Sequence, residues 1–178
     1  MTAAQELFYE EGTNTVGIER VIERAGVAKA SLYNTFGSKE ELVRSYLAAR
    51  HEARNARITT KLKLYNTPRE RLLGVFDAQS DLFAEPTFRG CAFVRASAEM
   101  RPESSAKGVC ENSRAWLRTL FTDLAKDAGA NEPESLARQL LLLYDGASIS
   151  AQMDGDRSAA ATARAAASIL LDAATSGR

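Results

Sequence analysis

Three polar residues, Lys29, Ser31 and Asn34, are spaced so that they face outward from a short predicted helix. Leu32 and Phe36, four residues apart, form its opposite and apolar side. A lysine ammonium can donate hydrogen bonds to guanine O6 and N7, and an asparagine amide can pair with adenine N6 and N7. These side chains therefore predict contact with base edges in the major groove of DNA.

The segment that must position these side chains is predicted to contain two short helices joined by a glycine bend. Residues 18–25 carry apolar side chains at the i, i+3, i+4 and i+7 positions of an amphipathic helix. Gly26 supplies the bend, and the second helix spans residues 28–36. This arrangement is typical of a helix-turn-helix, whose second helix enters the major groove. A third helix follows, with Ser38 as its N-cap and Glu41 completing a capping box.

These residues resemble the DNA-binding domain of the TetR/AcrR family of bacterial transcriptional regulators. Residues 88–93 and 139–146 resemble the ligand-binding and dimerisation half of one branch of that family. The resemblance implies an all-α protein, with a helix-turn-helix three-helix domain at residues 1–46 and a helical ligand-binding and dimerisation domain at residues 47–178. The positions that carry it in the first third of the chain are Leu7, Phe8, Gly12, Ala25, Gly26, Val27, Leu32, Tyr33, Phe36, Ser38, Lys39 and Leu42.

The resemblance also implies which residues touch DNA. Tyr33, Thr35 and Lys39 match positions that contact phosphates in the family, and partial packing against the helix pair is the alternative interpretation for Tyr33. Gly17 stands where relatives often carry Ser or Thr, so only its backbone N–H is left to face a phosphate. Ala30 is expected to allow close approach. The complete predicted set is Gly17, Lys29, Ala30, Ser31, Tyr33, Asn34, Thr35 and Lys39.

Relatives usually have a longer first helix, preceded by a basic arm that touches DNA. Here the first predicted helix spans only residues 2–11. Either the sequence is truncated or contacts from such an arm are missing. The absence of such contacts would affect DNA affinity, because phosphate contacts dominate it.

Charge is distributed unevenly along a chain whose formal net charge is zero. Residues 17–63 contain ten Lys and Arg and five Glu, which gives this segment a net charge of +5 and the rest of the chain a net charge of −5. A basic block of this kind suits phosphate contact, although a solvated helix with mixed charge would give the same count.

The composition predicts a soluble protein. The 178 residues are 45% hydrophobic and 26% charged, and no apolar run or N-terminal signal pattern suggests a membrane or secretory segment. A cytoplasmic location is expected, and two cysteines are too few for a disulfide scaffold. With a single histidine and no nucleophile, phosphate-loop or metalloprotease motif, we expect neither an enzyme nor a cofactor or metal site.

Helical patterns continue to the end of the chain, with no segment typical of a strand. We predict a long helix from residue 38 to about 65, and further helices over residues 68–84, 91–100, 108–128, 133–153 and 157–175.

The resemblance suggests a ligand pocket enclosed by the fifth to eighth helices. Apolar walls with a few polar groups are typical of small-molecule sites, although aromatic residues at helical spacing also form ordinary cores. The candidate lining residues are Phe76, Gln79, Phe83, Phe93, Val94, Trp116, Leu120, Tyr144, Ser148 and Gln152.

The last two helices are rich in leucine and alanine. Alanines at this density let helix backbones approach closely. Relatives use these helices as a four-helix dimer interface, and an intramolecular core is the alternative. We predict a homodimer, because two recognition helices about one helical turn apart match a palindromic operator. The predicted interface is Leu136, Leu140, Leu143, Ala147, Ala151, Ala159, Ala163, Ala166, Ala167 and Leu170.

Cys91 follows Gly90 at a predicted helix start, where the helix dipole would favour a thiolate and permit redox sensing. A small buried hydrophobe is the alternative role. Taken together, these features predict a ligand-responsive repressor that binds palindromic double-stranded DNA and is released by a small-molecule effector of unknown identity. A helical protein that binds a small molecule or partner and no longer binds DNA is the alternative function.

Overall fold

A computed structural model describes residues 1–101 and 103–176, and within these ranges it contains nine α-helices and no strand. The all-α prediction is confirmed. No helix in the described ranges is long and apolar enough to cross a membrane. The helices are α1 (Thr2–Glu11), α2 (Ile18–Ala25), α3 (Lys29–Phe36), α4 (Lys39–Leu62), α5 (Pro68–Ala84), α6 (Ala92–Glu99), α7 (Lys107–Asp127), α8 (Pro133–Met153) and α9 (Ala159–Thr175).

Helix caps explain where two of the helices begin. Ser38 caps α4 as predicted, because its Oγ accepts a hydrogen bond of 3.1 Å from the Glu41 N–H. The Glu41 carboxylate accepts instead from the side chains of Arg44 and Ser105. The reciprocal capping box lies at the start of α5, where Thr67 and Glu70 satisfy each other's backbone N–H groups.

The chain packs as two compact units, each made of two segments. The first unit, here called the head, comprises residues 1–53 and 91–113, and the second, here called the body, comprises residues 54–90 and 114 onward. The head is larger than the 1–46 domain expected from the sequence. It extends because Leu47 lies in its core and because α6 contributes Ala92 and Ala96 to the same core.

The head is held together by apolar side chains from α1, α4 and α6. The ring of Phe8 meets that of Tyr46 edge-on, with 5.6 Å between centroids. Val16, Leu42 and Leu47 are fully buried around them. Burial raises the pKa of Tyr46, because a phenolate would lose its hydration there.

The body is built from α5, α8 and α9 together with the adjoining parts of α4 and α7. Gly74 lets the chain pass close to Tyr65, since a Cβ at Gly74 would lie 2.4 Å from the Tyr65 ring. The Tyr65 hydroxyl donates to Asp77 Oδ2 at 2.8 Å, and Arg164 Nε donates to the same oxygen at 3.1 Å. Burial and the Asp77 hydrogen bond raise the pKa of Tyr65 to about 12. This network ties α5 to α9.

Candidate nucleic-acid interface

The bend between α2 and α3 depends on Gly26. Its φ of +64° is left-handed, a conformation that glycine adopts without steric cost. The N–H groups of Gly26 and Val27 close the end of α2 by donating to the carbonyls of Glu23 and Ile22. The turn therefore fixes the direction in which α3 leaves α2.

Helix α3 presents almost all of its side chains to solvent. Leu32 is buried and Phe36 half-buried, and these two residues anchor the helix. Its outer face combines ammonium, hydroxyl, phenol and amide groups, a set suited to base edges and phosphates. The exposed residues are Lys29, Ala30, Ser31, Tyr33, Asn34 and Thr35, all of which belong to the predicted DNA-contacting set.

Two of these side chains already have hydrogen-bond partners within the head. Lys29 Nζ donates to Glu19 Oε1 at 2.5 Å, and this hydrogen bond raises the pKa of Lys29. Thr35 Oγ1 donates to the Ser31 carbonyl at 2.8 Å, one helical turn back. Lys29 would have to give up Glu19 in order to make the predicted contact with DNA.

Basic side chains of α2 are paired in the same way. Arg20 contacts Glu11 at 2.7 Å, and Arg24 contacts Glu6 at 3.0 Å. Exposed pairs of this kind are each worth about 0–1 kcal/mol, so phosphates can replace the carboxylates at little cost. The excess of basic residues is thus partly neutralised on the surface of the protein itself.

Two further residues of the predicted set flank the helix pair. Gly17 is the N-cap of α2 and makes no side-chain capping bond. A Cβ at Gly17 would meet nothing within 4 Å, so the exposed N-terminus of α2 is open to an approaching anion. Lys39 begins α4, and its Nζ donates to the Asn14 carbonyl at 3.4 Å.

Helix α6 contributes polar contacts to the head that could not be predicted from the sequence. Arg95 Nη1 donates to the Tyr9 carbonyl at 2.6 Å. Glu99 accepts hydrogen bonds from Thr13 and Asn14 in the turn after α1. The partners are separated by more than 80 residues, and neither helical periodicity nor a local motif connects them.

The residues predicted to line a ligand pocket are divided between the two units. Phe93 and Val94 lie on α6 in the head, and Gln152 is exposed on α8. In the body, Trp116 and Leu120 are half-buried beside the core. The structure buries the remaining five in the core of the body: Phe76, Gln79, Phe83, Tyr144 and Ser148.

Gln79 is the polar centre of that buried group. Its Nε2 donates to the Tyr144 carbonyl at 2.7 Å and to Ser148 Oγ at 2.9 Å. Its Oε1 is buried and has no hydrogen-bond partner in the described part of the chain. Phe76 lies beside it, with ring centroids 5.7 Å from Phe121 and 6.2 Å from Tyr144. A buried, unsatisfied acceptor among aromatic rings can accept a hydrogen bond from a small molecule.

The residues predicted for the dimer interface lie in or beside the core of the body. Leu143, Ala166 and Leu170 are half-buried, and Leu143 and Leu170 pack against the core of the body. The others are buried mainly by their own chain, because the leucine and alanine stripes of α8 and α9 pack with each other and with α5. These buried residues are Leu136, Leu140, Ala147, Ala151, Ala159, Ala163 and Ala167. Ala147, Ala159 and Ala163 also line a surface groove between α8 and α9.

A different apolar surface on α8 and α9 faces solvent. Leu142, Met153 and Ile169 are 69%, 77% and 70% exposed, and Ile149 is also exposed. We call these four residues the apolar ridge. A groove of about 240 Å³ adjoins it between the two helices, with Gly146 among its lining residues. Exposed apolar groups concentrated on two adjacent helices are typical of a protein–protein interface.

Both cysteines are free thiols and half-buried. Cys91 is the N-cap residue of α6, where its redox role stays a prediction. Burial raises the pKa of Cys110 despite a hydrogen bond with Ser97, which disfavours the reactive thiolate.

Comparisons with known proteins agree on one family. The sequence model described as bacterial regulatory proteins, tetR family, matches residues 1–46. A TetR-family regulator of Streptomyces coelicolor superposes with a TM-score of 0.92 at 27% identity, covering 98% of this chain and 93% of that one. A protein of Streptomyces avermitilis assigned to the TetR transcriptional regulators is 34% identical, with a TM-score of 0.86 and coverage of 97% and 94%.

The relatives of named function include both an activator and a repressor of transcription. The activator FasR of Mycolicibacterium smegmatis is 26% identical over 72% of this chain, and the alignment spans 58% of FasR. The repressor NemR of Escherichia coli is 24% identical over 86% of this chain and 82% of NemR. An alignment with the Bacillus subtilis regulator YezE spans 52% of that protein. The chain belongs to the TetR family of DNA-binding transcriptional regulators, which are not enzymes.

Proposed function

We propose that this chain is a ligand-responsive repressor that binds a palindromic operator as a homodimer and is released by a small-molecule effector. The observation that carries the proposal is the exposed outer face of α3, with Lys29, Ser31, Tyr33 and Asn34 around a buried Leu32. Polar groups in that arrangement are suited to a major groove, where each base pair shows a distinct set of donors and acceptors. These exposed side chains do not take part in packing the core of the head.

Repression rather than activation is supported by the extent of the alignments. The alignment with NemR, a repressor, covers 82% of that protein, whereas the alignment with the activator FasR covers 58%. The proposal for this chain follows the relative that it matches over the greater length.

The apolar ridge supports the homodimer. A pair of equivalent ridges can bury Leu142, Ile149, Met153 and Ile169 against each other around a two-fold axis. Gly146 and the adjoining groove leave room for a side chain of the second subunit. Two heads held by such an interface would present two α3 helices to two half-sites.

Substitution of a ridge residue should dissociate the dimer. We expect Ile169→Glu to give a monomer, because a buried carboxylate in an apolar interface is strongly unfavourable. Leu64→Glu is the matched control, since Leu64 is 70% exposed like Ile169 but lies in the turn after α4. Sedimentation velocity measures both. A dimer that persists in Ile169→Glu, or dissociates equally in Leu64→Glu, would contradict the ridge assignment.

The buried group around Gln79 supports an effector site in the body. An apolar molecule carrying an O–H or N–H group could donate to Gln79 Oε1 if the surrounding rings of Phe76, Phe121 and Tyr144 moved apart to admit it. An effector must bind the DNA-free state more tightly than the DNA-bound state if it is to release the operator.

Protection of DNA from cleavage tests the proposal as a whole. The probe is double-stranded DNA from the region upstream of the gene, compared with a random fragment of equal length. We expect protection of two half-sites about one helical turn apart, and none when Lys29 and Tyr33 are both replaced by alanine in a folded protein. Absence of binding by the wild-type protein would favour the alternative, a helical small-molecule or partner-binding protein that no longer binds DNA.

A further inference from the structure

Glu99, the last residue of α6, is hydrogen-bonded to the turn between α1 and α2. Glu99 Oε2 accepts a hydrogen bond of 2.7 Å from Thr13 Oγ1 and one of 3.0 Å from the Asn14 N–H. Asn14 Nδ2 donates in return to the Glu99 carbonyl at 3.1 Å. Three hydrogen bonds therefore join one residue of α6 to two residues of the turn, and all of them lie within the head.

The turn is shaped around this carboxylate. Gly12 has a φ of +95°, and a Cβ at this position would lie 3.0 Å from Glu99 Oε1. Thr13 is buried, so its hydroxyl needs an internal partner. Burial by itself would raise the pKa of Glu99, but hydrogen bonds from Thr13 and Asn14 outweigh it and lower the pKa. Glu99 is thus an ionised acceptor at neutral pH.

The same turn leads to the groups that face phosphates in the proposed complex. The Asn14 carbonyl accepts the hydrogen bond from Lys39 Nζ, and Gly17, the N-cap of α2, lies three residues further along. We propose that Glu99 is a positioning residue for DNA binding, which holds the α1–α2 turn so that Lys39 and the N-terminus of α2 meet the phosphates together. This inference rests on the proposed function.

Arg95 and Ser105 also hold α6 and the segment after it against the rest of the head. Arg95 Nη1 donates to the carbonyl of Tyr9 at 2.6 Å. The Ser105 N–H donates to Glu40 Oε1 at 2.7 Å, and its Oγ donates to Glu41 Oε1 at 2.8 Å. Glu99 lies between Arg95 and Ser105 in the sequence, so hydrogen bonds hold the chain on both sides of it.

Electrostatics and positioning predict opposite effects for the loss of Glu99. A carboxylate near the DNA-binding surface repels phosphates, so its removal should by charge alone strengthen DNA binding. If Glu99 positions the turn, its removal should weaken binding, although the protein becomes more positive. The sign of the change therefore separates the two roles.

The test compares Glu99→Ala, Glu99→Gln and Glu10→Ala in binding to the upstream DNA fragment. Glu10→Ala is the matched control, because Glu10 is an exposed carboxylate on α1 in the same unit. We expect Glu99→Ala to weaken binding about tenfold and Glu10→Ala to leave it unchanged or slightly tighter. Glu99→Gln should recover most of the loss, because its amide oxygen can accept the same two hydrogen bonds. Equal or tighter binding by Glu99→Ala would overturn the proposal, as would identical behaviour of the Ala and Gln variants.

A double-mutant cycle with Lys39→Gln tests the route through Lys39. Lys39→Gln should reduce the slope of log affinity against log salt by about one in the wild-type background and by much less beside Glu99→Ala. Additive effects would overturn that route.

Thermal unfolding establishes that each variant is folded. If Glu99→Ala does not fold, Thr13→Val removes one donor at nearly constant shape, and Thr13→Ser restores it. Thr13→Val should bind DNA more weakly and Thr13→Ser like the wild type; equal binding by both would overturn the proposal. A wild-type protein that does not bind DNA would defeat the proposed function and this inference together, an outcome distinct from any variant effect.

Discussion

The head and the body use polar side chains in opposite ways. In the head, polar residues of α2 and α3 lie on the surface and form ion pairs that cost little to exchange, such as Lys29 with Glu19. In the body, Gln79 is buried and hydrogen-bonded to Tyr144 and Ser148, so loss of either partner leaves a buried polar group unsatisfied. This contrast fits the proposed function, in which the head binds a ligand that supplies charge and the body binds a small molecule that supplies one hydrogen bond and apolar surface.

Because of this contrast, DNA affinity and the free energy of unfolding should depend on different residues. Substitution on the face of α3 should change DNA affinity and leave the fold intact, because the side chains there are exposed. Substitution in the core of the body should lower the free energy of unfolding first.

The largest expected effect is on the stability of the body. Phe76 is fully buried and packs against Phe121, so Phe76→Ala should lower the free energy of unfolding by about 3–5 kcal/mol. Tyr33→Ala, on the exposed face of α3, should lower it by less than about 0.5 kcal/mol while weakening DNA binding. Urea denaturation measures the first quantity and a DNA titration the second. Comparable destabilisation by both variants would remove the distinction between the units.

Loss of a single α3 side chain should have the next largest effect, on affinity. Lys29→Ala is expected to weaken binding to the upstream fragment about tenfold, within the ~1–3 kcal/mol typical of a base contact. Lys63→Ala is the control for net charge, because Lys63 is an exposed lysine in the turn after α4. Fluorescence anisotropy at fixed salt gives both constants. Equal losses in the two variants would show that Lys29 contributes only charge.

Alkaline pH should destabilise the body through Tyr65. Its pKa is raised to about 12, above the ordinary value of 10.0, so the protein favours the protonated phenol. The stabilisation is complete below pH 10 and is lost as the pH rises towards 12. Free energies of unfolding for the wild type and Tyr65→Phe should therefore converge over this interval. A constant difference between them across the interval would show that Tyr65 is not responsible.

The smallest expected effect is a gain at the N-terminus of α2. Gly17 has a φ of −78° and open space around its Cα, so a threonine fits without strain. Gly17→Thr should add an N-capping bond worth a few tenths of a kcal/mol and a hydroxyl that can reach a phosphate. We expect a slightly higher Tm and DNA binding about two- to threefold tighter. Weaker binding would mean that DNA approaches the backbone at Gly17 more closely than a side chain allows.

The sequence predicted the helices well because their signals are local. Apolar periodicity, Gly26 and Pro68 determine where helices run and stop, and the structure reproduces those limits within a few residues. The exposed face of α3 was also predictable, since Leu32 and Phe36 define the side that turns inward.

Features that depend on tertiary packing were not predictable in the same way. Periodicity shows which residues of α8 share a face, such as Leu136 and Leu140, but not whether the same chain or a second subunit covers that face. The apolar ridge was not predictable because Leu142 and Ile169 lie in continuous apolar runs, residues 140–143 and 169–171, where periodicity does not distinguish the exposed side chains from the buried ones. The hydrogen bond from Thr13 to Glu99 joins positions 86 residues apart, for which a single sequence carries no signal.

The most direct test of the central claim is the salt dependence of binding between the wild-type protein and its upstream DNA. A titration at two salt concentrations gives the slope of log affinity against log salt, which counts the phosphates that the protein contacts. We expect tight binding to one palindromic site that weakens steeply with salt, and weaker binding to random DNA. Binding that is absent, or that does not respond to salt, would contradict it.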